Sequence, residues 1–218
     1  MPAWPRTRGE LIEEQLLLAT LEPAPWVFGP GARIGGVFVC FARGASGPGH
    51  TGDPAWAAAS VGRETVVVAG RAGAPYEPGL LALREGALLE AAVRALPEPP
   101  DALLVDATGR DHPRRTGLAL HLGADLDVPT VGVTHRPLEA EGDWPPDKRG
   151  ARSPLMLEGE LIGYWLRTRA GTRPLAVHAA WRTGPAAGAE VVLSTCQART
   201  PEPLRQARRQ AREARAAP

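Results

Sequence analysis

Two short apolar segments near the middle of the chain constrain its fold more than any other feature. Residues 102–106 (ALLVD) and 130–133 (TVGV) each have the length and composition of a buried strand. Residues 114–122, which lie between them, are predicted to form a helix. Strands that alternate with helices are typical of an α/β fold, in which helices cover the faces of a sheet.

The other periodic segments extend this pattern in both directions. We predict further strands at 32–42, 64–69, 160–169 and 175–181, and further helices at 6–20, 79–96 and 205–215. The last two strands alternate well enough to pair with each other. This order predicts an α/β fold with a mixed sheet flanked by helices on both faces.

The length and composition limit the domain organisation and the location. The 218 residues predict a single domain over 1–218, with an N-terminal helix and linker at 1–30 and a basic C-terminal helix at 203–218. The net charge of +1 gives no overall attraction to nucleic acid. Cys40 and Cys196 are too few for a disulfide framework, and no apolar run is long enough to span a membrane. A cytoplasmic protein without membrane contact is therefore expected.

Two ordered stretches of the chain carry a family resemblance. The first is PYEPG at 75–79, followed by Glu85, and the second runs from 100 to 133 through Asp106, the HPRR segment at 112–115 and His121. This set resembles the endonuclease V family, DNA repair nucleases that recognise deoxyinosine. Residues 199–207 resemble the C-terminal segment of that family, and residues 154–181 resemble its late hairpin more loosely. The resemblance implies a ribonuclease H-like fold. We expect a monomer, although no feature of the sequence determines the oligomeric state.

The resemblance assigns base recognition to one tyrosine and three glycines. Tyr76, held between Pro75 and Pro78, is expected to act as a wedge where a damaged base leaves the stack. Gly79, Gly109 and Gly132 match positions where backbone approaches the flipped base, which glycine permits because it has no Cβ. The alternatives are an ordinary tyrosine in a turn, and glycines that serve as turns or helix caps.

Phosphate contact is assigned to the loop that precedes a helix. His112, Arg114 and Arg115 follow a strand, and arginines there are suited to charge-assisted bonds with the DNA backbone. A solvated charged loop is the alternative. The arginines of the terminal helix, 205–215, are spread around it, and we interpret that helix as solvated.

The catalytic centre that the resemblance implies is incomplete. Metal-assisted phosphodiester cleavage requires several converging carboxylates, and Glu85 and Asp106 match two of them as catalytic and metal-binding residues. Phe38 stands where the first-strand aspartate belongs, and residues 32–44 contain no acidic residue. His135 takes the place of a lysine as a possible catalytic donor, and Trp181 takes the place of a catalytic histidine.

Other acidic side chains offer no obvious replacement for the missing aspartate. Asp53, Glu64 and Asp111 lie near the matched strands, but nothing in their spacing marks them as ligands, and solvated loop carboxylates are the default interpretation. His178 lies three residues before Trp181 and is expected to face the opposite side of its strand.

These residues predict an endonuclease V-like DNA repair protein that recognises deoxyinosine or similar deaminated bases in DNA, or inosine in RNA. We expect its Mg²⁺-dependent cleavage to be weakened or lost, with Mg²⁺ or Mn²⁺ bound weakly if at all. A catalytically inactive module on the same fold, which binds nucleic acid or another protein, is the alternative.

Overall fold

The computed structural model describes residues 4–44 and 47–217. The parts of the predicted ranges that fall on residues 1–3, 45–46 and 218 lie outside the described residues. The helices are α1 (Arg8–Ala19), α2 (Leu81–Arg94), α3 (Leu118–Leu126), α4 (Pro185–Ser194) and α5 (Glu202–Ala216). The strands are β1 (Ile34–Phe41), β2 (Pro54–Val61), β3 (Glu64–Arg71), β4 (Ala102–Val105), β5 (Thr130–Thr134), β6 (Arg152–Leu157), β7 (Glu160–Leu166) and β8 (Leu175–Ala179).

The strands form one mixed sheet in the order β3-β2-β1-β4-β5-β8-β7-β6. The three central strands β1, β4 and β5 are parallel, and the outer strands pair antiparallel. Strand β4 is buried at every position, because helices cover it on both sides. Strands β7 and β8 pair as the predicted hairpin.

Helices lie on both faces of the sheet, as predicted. Apolar side chains of α1, α2 and α3 pack together on one face, where Leu11, Leu89 and Leu120 are buried. On the other face, Val191 of α4 and Leu204 of α5 belong to a second cluster, and Ala207 and Ala211 of α5 belong to a third. The α/β prediction with flanking helices is therefore confirmed. Among the described residues, no helix is both long and apolar enough to cross a membrane.

Local sequence sets the helix boundaries. In α1, the Thr7 side chain accepts a hydrogen bond from the Glu10 amide while the Glu10 carboxylate accepts one from the Thr7 amide, which forms a capping box. Helix α3 begins at Leu118, four residues after the predicted start. Residues 112–115 instead form a turn flanked by bends, and residues 116–117 lead from it into the helix.

The interpretation of the terminal helix as solvated is wrong. Helix α5 packs across β1 and β2, and Ala207 and Ala211 are fully buried against Cys40 and Ala58. Gly36 permits this approach, because a Cβ there would lie 2.4 Å from the carbonyl carbon of Pro203. The alanines of α5 form a narrow apolar face, so its arginines project to both sides and some of them reach the sheet.

Candidate active site

The parallel register of β1 and β4 places Phe38 beside Asp106. Val37 pairs with Val105, so the next residue of each chain lies at the same level, at the carboxyl end of the strands. Side chains alternate along a strand, and Phe38 packs with the cluster that includes Ala207 and Ala211. The position that the resemblance assigns to a carboxylate therefore faces α5.

An arginine of α5 supplies the cation at this site. The Arg208 guanidinium donates to the Asp106 carboxylate at 2.8 Å and lies 5.0 Å from the centroid of the Phe38 ring. The Arg212 guanidinium lies 5.8 Å from the centroid of the same ring. About a quarter of each side chain of the Arg208–Asp106 pair is exposed. Asp106 is thus neutralised by a residue of its own chain.

Glu85 faces Asp106 from helix α2 in a poorly hydrated position. Burial raises the pKa of the Glu85 carboxyl to about 8, and the negative charge of Asp106 adds to that effect, while Arg84 opposes it. The Glu85 side chain is therefore largely protonated at neutral pH, because nearby positive charge does not compensate for its desolvation. The two predicted carboxyl groups therefore lie close enough for the charge of Asp106 to act on Glu85.

His135 lies close enough to Asp106 for their charges to interact. The residue follows β5 and its side chain is exposed. Partial burial, followed by the charges of Arg199 and Arg208, lowers the pKa of the imidazole, and Asp106 opposes the shift. His135 is consequently neutral at pH 7, whereas the lysine expected at this position would be a permanent cation.

The donor set around Asp106 does not fit a divalent cation. A magnesium site of this type needs several ionised carboxylates. Here Phe38 has no donor atom, and Arg208 already pairs with Asp106. A guanidinium in contact with a carboxylate competes directly with a metal ion for the same oxygen atoms.

The Tyr76 loop forms one wall of a cavity of about 190 Å³ that also reaches Asp106. Half of the Tyr76 side chain is exposed, and its amide donates to the Pro48 carbonyl at 2.8 Å. The cavity is lined by Gln15, 76–79, 81–82, 106–108, His112, Leu118, Thr134 and Leu138. The predicted wedge and one predicted carboxylate therefore border the same space.

The carbonyl of Gly79 fixes the loop through three donors. It accepts hydrogen bonds from Arg114 at 2.7 Å, Gln15 at 3.2 Å and His112 at 3.1 Å. His112 Nδ1 accepts from the Arg114 amide, so Nε2 carries the proton and donates. Burial lowers the pKa of His112 to about 4, which keeps the ring neutral. Gly79 has a φ of +76°, a conformation that favours glycine.

Both loop arginines have partners within the chain. Arg114 also donates to the Gln15 side chain at 2.6 Å, and Arg115 forms ion pairs with Glu158 at 3.3 Å and Glu160 at 3.2 Å. These contacts tie the loop to α1 and to the hairpin of β6 and β7. Phosphate binding by Arg114 and Arg115 stays a prediction, and the contacts show a structural role in addition.

Two of the predicted base-contacting glycines do not line the cavity. A Cβ on Gly109 would lie 2.1 Å from the Ala179 carbonyl oxygen. A Cβ on Gly132 would lie 2.5 Å from the Ala107 carbonyl oxygen and 3.0 Å from the Gly109 amide. Both glycines therefore permit close contact between backbones beneath the cavity. Their role as direct base contacts remains a prediction.

Trp181 belongs to the hydrophobic core. Trp181 packs so closely against α3 that a Cβ on Gly123 would lie 2.5 Å from the Trp181 Cβ. The backbone amide and carbonyl of Trp181 both form hydrogen bonds with Thr130. The indole nitrogen is buried and has no hydrogen-bond partner among the described residues. Position 181 thus provides packing and no acid–base group.

The default interpretation of Asp111 as a solvated carboxylate is wrong. Asp111 is fully buried and accepts hydrogen bonds from the amides of Leu138, Glu139 and Ala140. It lies 3.4 Å from Nδ1 of His178, whose pKa burial lowers to about 4. This pair organises the chain that follows β5.

The other two acidic residues also have partners. Asp53, mostly buried, pairs with Arg84 at 3.2 Å, so the solvated interpretation is wrong for this residue as well. The exposed Glu64 pairs with Arg33 at 3.7 Å. Asp53, Glu64 and Asp111 are each held by contacts away from the Asp106 carboxylate, and none of them replaces the missing aspartate.

A larger cleft of about 630 Å³ lies at the opposite end of β1, next to Ile34 and Pro203. None of the residues matched to the candidate site lines it. The smaller cavity, and not this cleft, is lined by residues that carry the family resemblance.

Known proteins resemble this chain over most of its length. A sequence model of the endonuclease V family matches residues 54–209. Endonuclease V of Streptomyces coelicolor is 38% identical over 212 residues, which cover 94% of this chain and 89% of the relative. The chain belongs to the endonuclease V family.

Solved structures of endonuclease V share the fold. That of Streptomyces avermitilis is 32% identical, with a TM-score of 0.81 over 98% of this chain and 96% of the other. That of Ciona intestinalis, crystallised with a DNA 24-mer containing an inosine followed by a ribo-adenosine, is 18% identical, with a TM-score of 0.74 over 94% and 96%. The ribonuclease H-like fold expected for an endonuclease V is thus confirmed.

Proposed function

We propose that this member of the endonuclease V family recognises inosine or similar deaminated bases in nucleic acid and cleaves the backbone poorly or not at all. Family membership supports the recognition. The Arg208–Asp106 ion pair beside Phe38 is the observation that carries the second part, because it puts a cation of the chain where catalysis needs a metal.

Recognition is supported by the position and rigidity of the Tyr76 loop. An exposed ring on a loop held by three hydrogen bonds is suited to fill the gap that a flipped base leaves in the stack. The adjacent cavity, which is lined by residues 76–79 and 106–108, lies beside this ring and provides a space for the displaced base. Inosine-containing DNA, the ligand of the Ciona protein, is the first to test.

Poor cleavage is supported by the charge balance around Asp106. Mg²⁺ or Mn²⁺ would have to displace Arg208 and deprotonate Glu85 before it gained two protein ligands. Binding at this site is therefore weak if it occurs. We also propose a cytoplasmic monomer, which is consistent with two buried, unpaired cysteines.

The recognition is tested by the affinity for a duplex with one deoxyinosine and for the same duplex with deoxyguanosine. We expect tighter binding of the inosine duplex. Tyr76→Ala should lower the ratio of the two affinities by about tenfold or more, because stacking of an aromatic side chain on a base contributes about 1–3 kcal/mol. Trp144→Ala, which truncates a similarly exposed aromatic residue, is the matched control and should leave the preference unchanged.

The cleavage defect is tested by rebuilding the carboxylate. The double variant Phe38→Asp with Arg208→Gln should nick inosine DNA in Mg²⁺ faster than the wild type or either single variant. Adding Glu85→Gln to it should abolish the gain. If the wild type nicks as fast as the double variant, the present residues suffice for catalysis and the proposal of weak cleavage is wrong.

A further inference from the structure

A second group of possible metal ligands lies among the helices on the other side of α2 from Glu85. His121 and Asp125 are four residues apart on α3 and share one face, and Glu14 approaches them from α1. His121 Nε2 lies 3.5 Å from Glu14 Oε1 and 3.7 Å from Asp125 Oδ2. One donor atom from each residue falls within 4.8 Å of the other two.

His121 is buried with unsatisfied ring nitrogens. The side chain is fully inaccessible to solvent, and neither nitrogen has a hydrogen-bond partner among the described residues. Its contacts with the Glu14 and Asp125 carboxylates are ion-pair distances without good hydrogen-bond geometry. An unpaired polar atom in such a place is destabilising, because it has lost its hydrogen bonds to water without replacement. A ligand at Nε2 would remove that destabilisation.

Acidic side chains surround the buried histidine. Besides Glu14 and Asp125, Glu90 of α2 lies near enough for its charge to act on both His121 and Asp125. Arg94 is the nearby basic residue, and it pairs with Glu90 at 2.6 Å. The group therefore contains more acidic than basic side chains around unpaired imidazole nitrogens.

Trp4 covers the group from one side and leaves the carboxylates open on the other. Its ring stacks on His121 with centroids 4.6 Å apart, and its indole N–H donates to Glu90. Side-chain exposure is 27% for Glu14 and 18% for Asp125, whereas it is zero for His121. A metal ion can thus enter from the carboxylate side and retain water ligands there.

We propose that Glu14, His121 and Asp125 bind one divalent transition-metal ion of the zinc class. One imidazole nitrogen and two carboxylates, with open positions for water, form a donor set that suits Zn²⁺. Bonds of about 2.0–2.2 Å in tetrahedral geometry separate donor atoms by about 3.4 Å. The two distances from His121 Nε2 already approach that separation.

This metal site shares no residue with the candidate active site. Glu90 lies five residues after Glu85 on α2, which rotates it well over a third of a turn from the side that faces Asp106. A metal ion held by Glu14 and His121 would link α1 to α3 directly. Its expected role is to stabilise the helical face that supports the Tyr76 loop, because Gln15 next to Glu14 is one of the donors to Gly79.

The test is titration of the chelator-treated full chain with Zn²⁺ alone, by calorimetry and by thermal unfolding. To exclude the candidate active site, the titration is repeated in the double variant Glu85→Gln with Asp106→Asn, where one Zn²⁺ should still bind. Glu14→Gln and Asp125→Asn should each lower the affinity by about tenfold or more, since even an outer-shell partner is worth about 10–100-fold. Both positions are partly exposed, and circular dichroism checks that the variants fold.

Two variants serve as matched controls. Glu13→Gln removes the neighbouring, exposed carboxylate of α1, and His50→Ala removes the exposed imidazole that lies 3.9 Å from Asp53. Neither should change the Zn²⁺ affinity or the rise in melting temperature. The proposal is overturned if Zn²⁺ shows no saturable binding, if Glu14→Gln and Asp125→Asn bind like Glu13→Gln, or if His50→Ala abolishes binding. Inosine recognition is measured without zinc and is judged separately.

Discussion

Glu85 and Asp106 are the two residues to which the family resemblance assigns metal binding, and each has an electrostatic environment that the sequence does not reveal. Asp106 forms an ion pair with Arg208. Burial raises the pKa of Glu85 to about 8, and the charge of Asp106 adds to this effect. The charges at this site are therefore set by other residues of the same chain.

The pKa of Glu85 predicts how stability depends on pH. In the unfolded chain a glutamate loses its proton near pH 4.5, whereas in the folded chain Glu85 keeps it until about pH 8. The free energy of unfolding should consequently fall as the pH rises from about 4.5 to about 8 and then level off. Glutamine at position 85 cannot ionise. The free energy of unfolding of Glu85→Gln should therefore exceed that of the wild type by an amount that grows to about 2–4 kcal/mol at pH 8.

Urea unfolding at pH 5 and pH 8, with chelator present, measures this difference. Glu139→Gln, at an exposed position, is the control, and its free energy of unfolding should equal that of the wild type at both pH values. If the difference in free energy of unfolding between Glu85→Gln and the wild type is the same at pH 5 and pH 8, Glu85 is ionised in the folded protein.

The residues of this site that could be predicted are those that a continuous stretch of sequence identifies, whereas a contact between distant parts of the chain could not be predicted. Glu85, Asp106 and Phe38 were found because they belong to continuous motifs or to a strand whose positions can be counted. Arg208 lies 102 residues from Asp106 in the sequence, and nothing in a basic helix indicates which arginine turns inward. The ion pair of Arg208 with Asp106 depends on the packing of α5 against the sheet, which sets the direction of the Arg208 side chain.

At the scale of elements, the strongly patterned segments were predicted and the weakly patterned ones were missed. Strand β2 contains four alanines, which have low strand propensity, and it forms a strand because β1 and β3 pair with it on both sides. Strand β6 contains Pro154, which is tolerated because β6 is the edge strand. Helix α4 has a glycine in its interior and was not recognised.

The Tyr76 loop is the element through which Arg114 is expected to act. Arg114→Ala removes the bonds to the Gly79 carbonyl and the Gln15 side chain, so amide hydrogen exchange at residues 74–80 should accelerate. The preference for inosine DNA should fall more than the affinity for unmodified DNA, because the loop positions the wedge.

Arg115→Ala is the neighbouring control for this prediction, since Arg115 pairs with the β6–β7 hairpin instead. It should leave the exchange rates of residues 74–80 unchanged. Arg114→Ala would instead weaken binding to the inosine duplex and to the unmodified duplex equally if Arg114 contacts phosphate. The slope of log affinity against log salt concentration would then become smaller by about one, and the positioning role would be secondary.

At the scale of the whole molecule, a net charge of +1 sets the electrostatics of binding. The arginines that lie at the candidate site, Arg114, Arg115 and Arg208, have partners within the chain and are not free to contact phosphate. The logarithm of the affinity for inosine DNA should therefore fall with the logarithm of salt concentration with a slope of about −2 to −4.

Binding isotherms between 50 and 300 mM salt, about the range in which such slopes are measured, test this expectation. The affinity for the inosine duplex and for the unmodified duplex should fall in parallel, because base contacts add no counterion release. Binding that is absent, or that ignores salt, would favour the alternative of a protein-interaction module.

The guanidinium of Arg208 has one more consequence. An active site that depends on magnesium changes its state with the supply of the free ion, but a site that carries its own counter-ion does not. On the proposed function, occupancy of the damaged base would be the same in metal-starved and metal-rich surroundings. Without strand scission to end the encounter, the bound protein would shield the lesion until another factor displaced it.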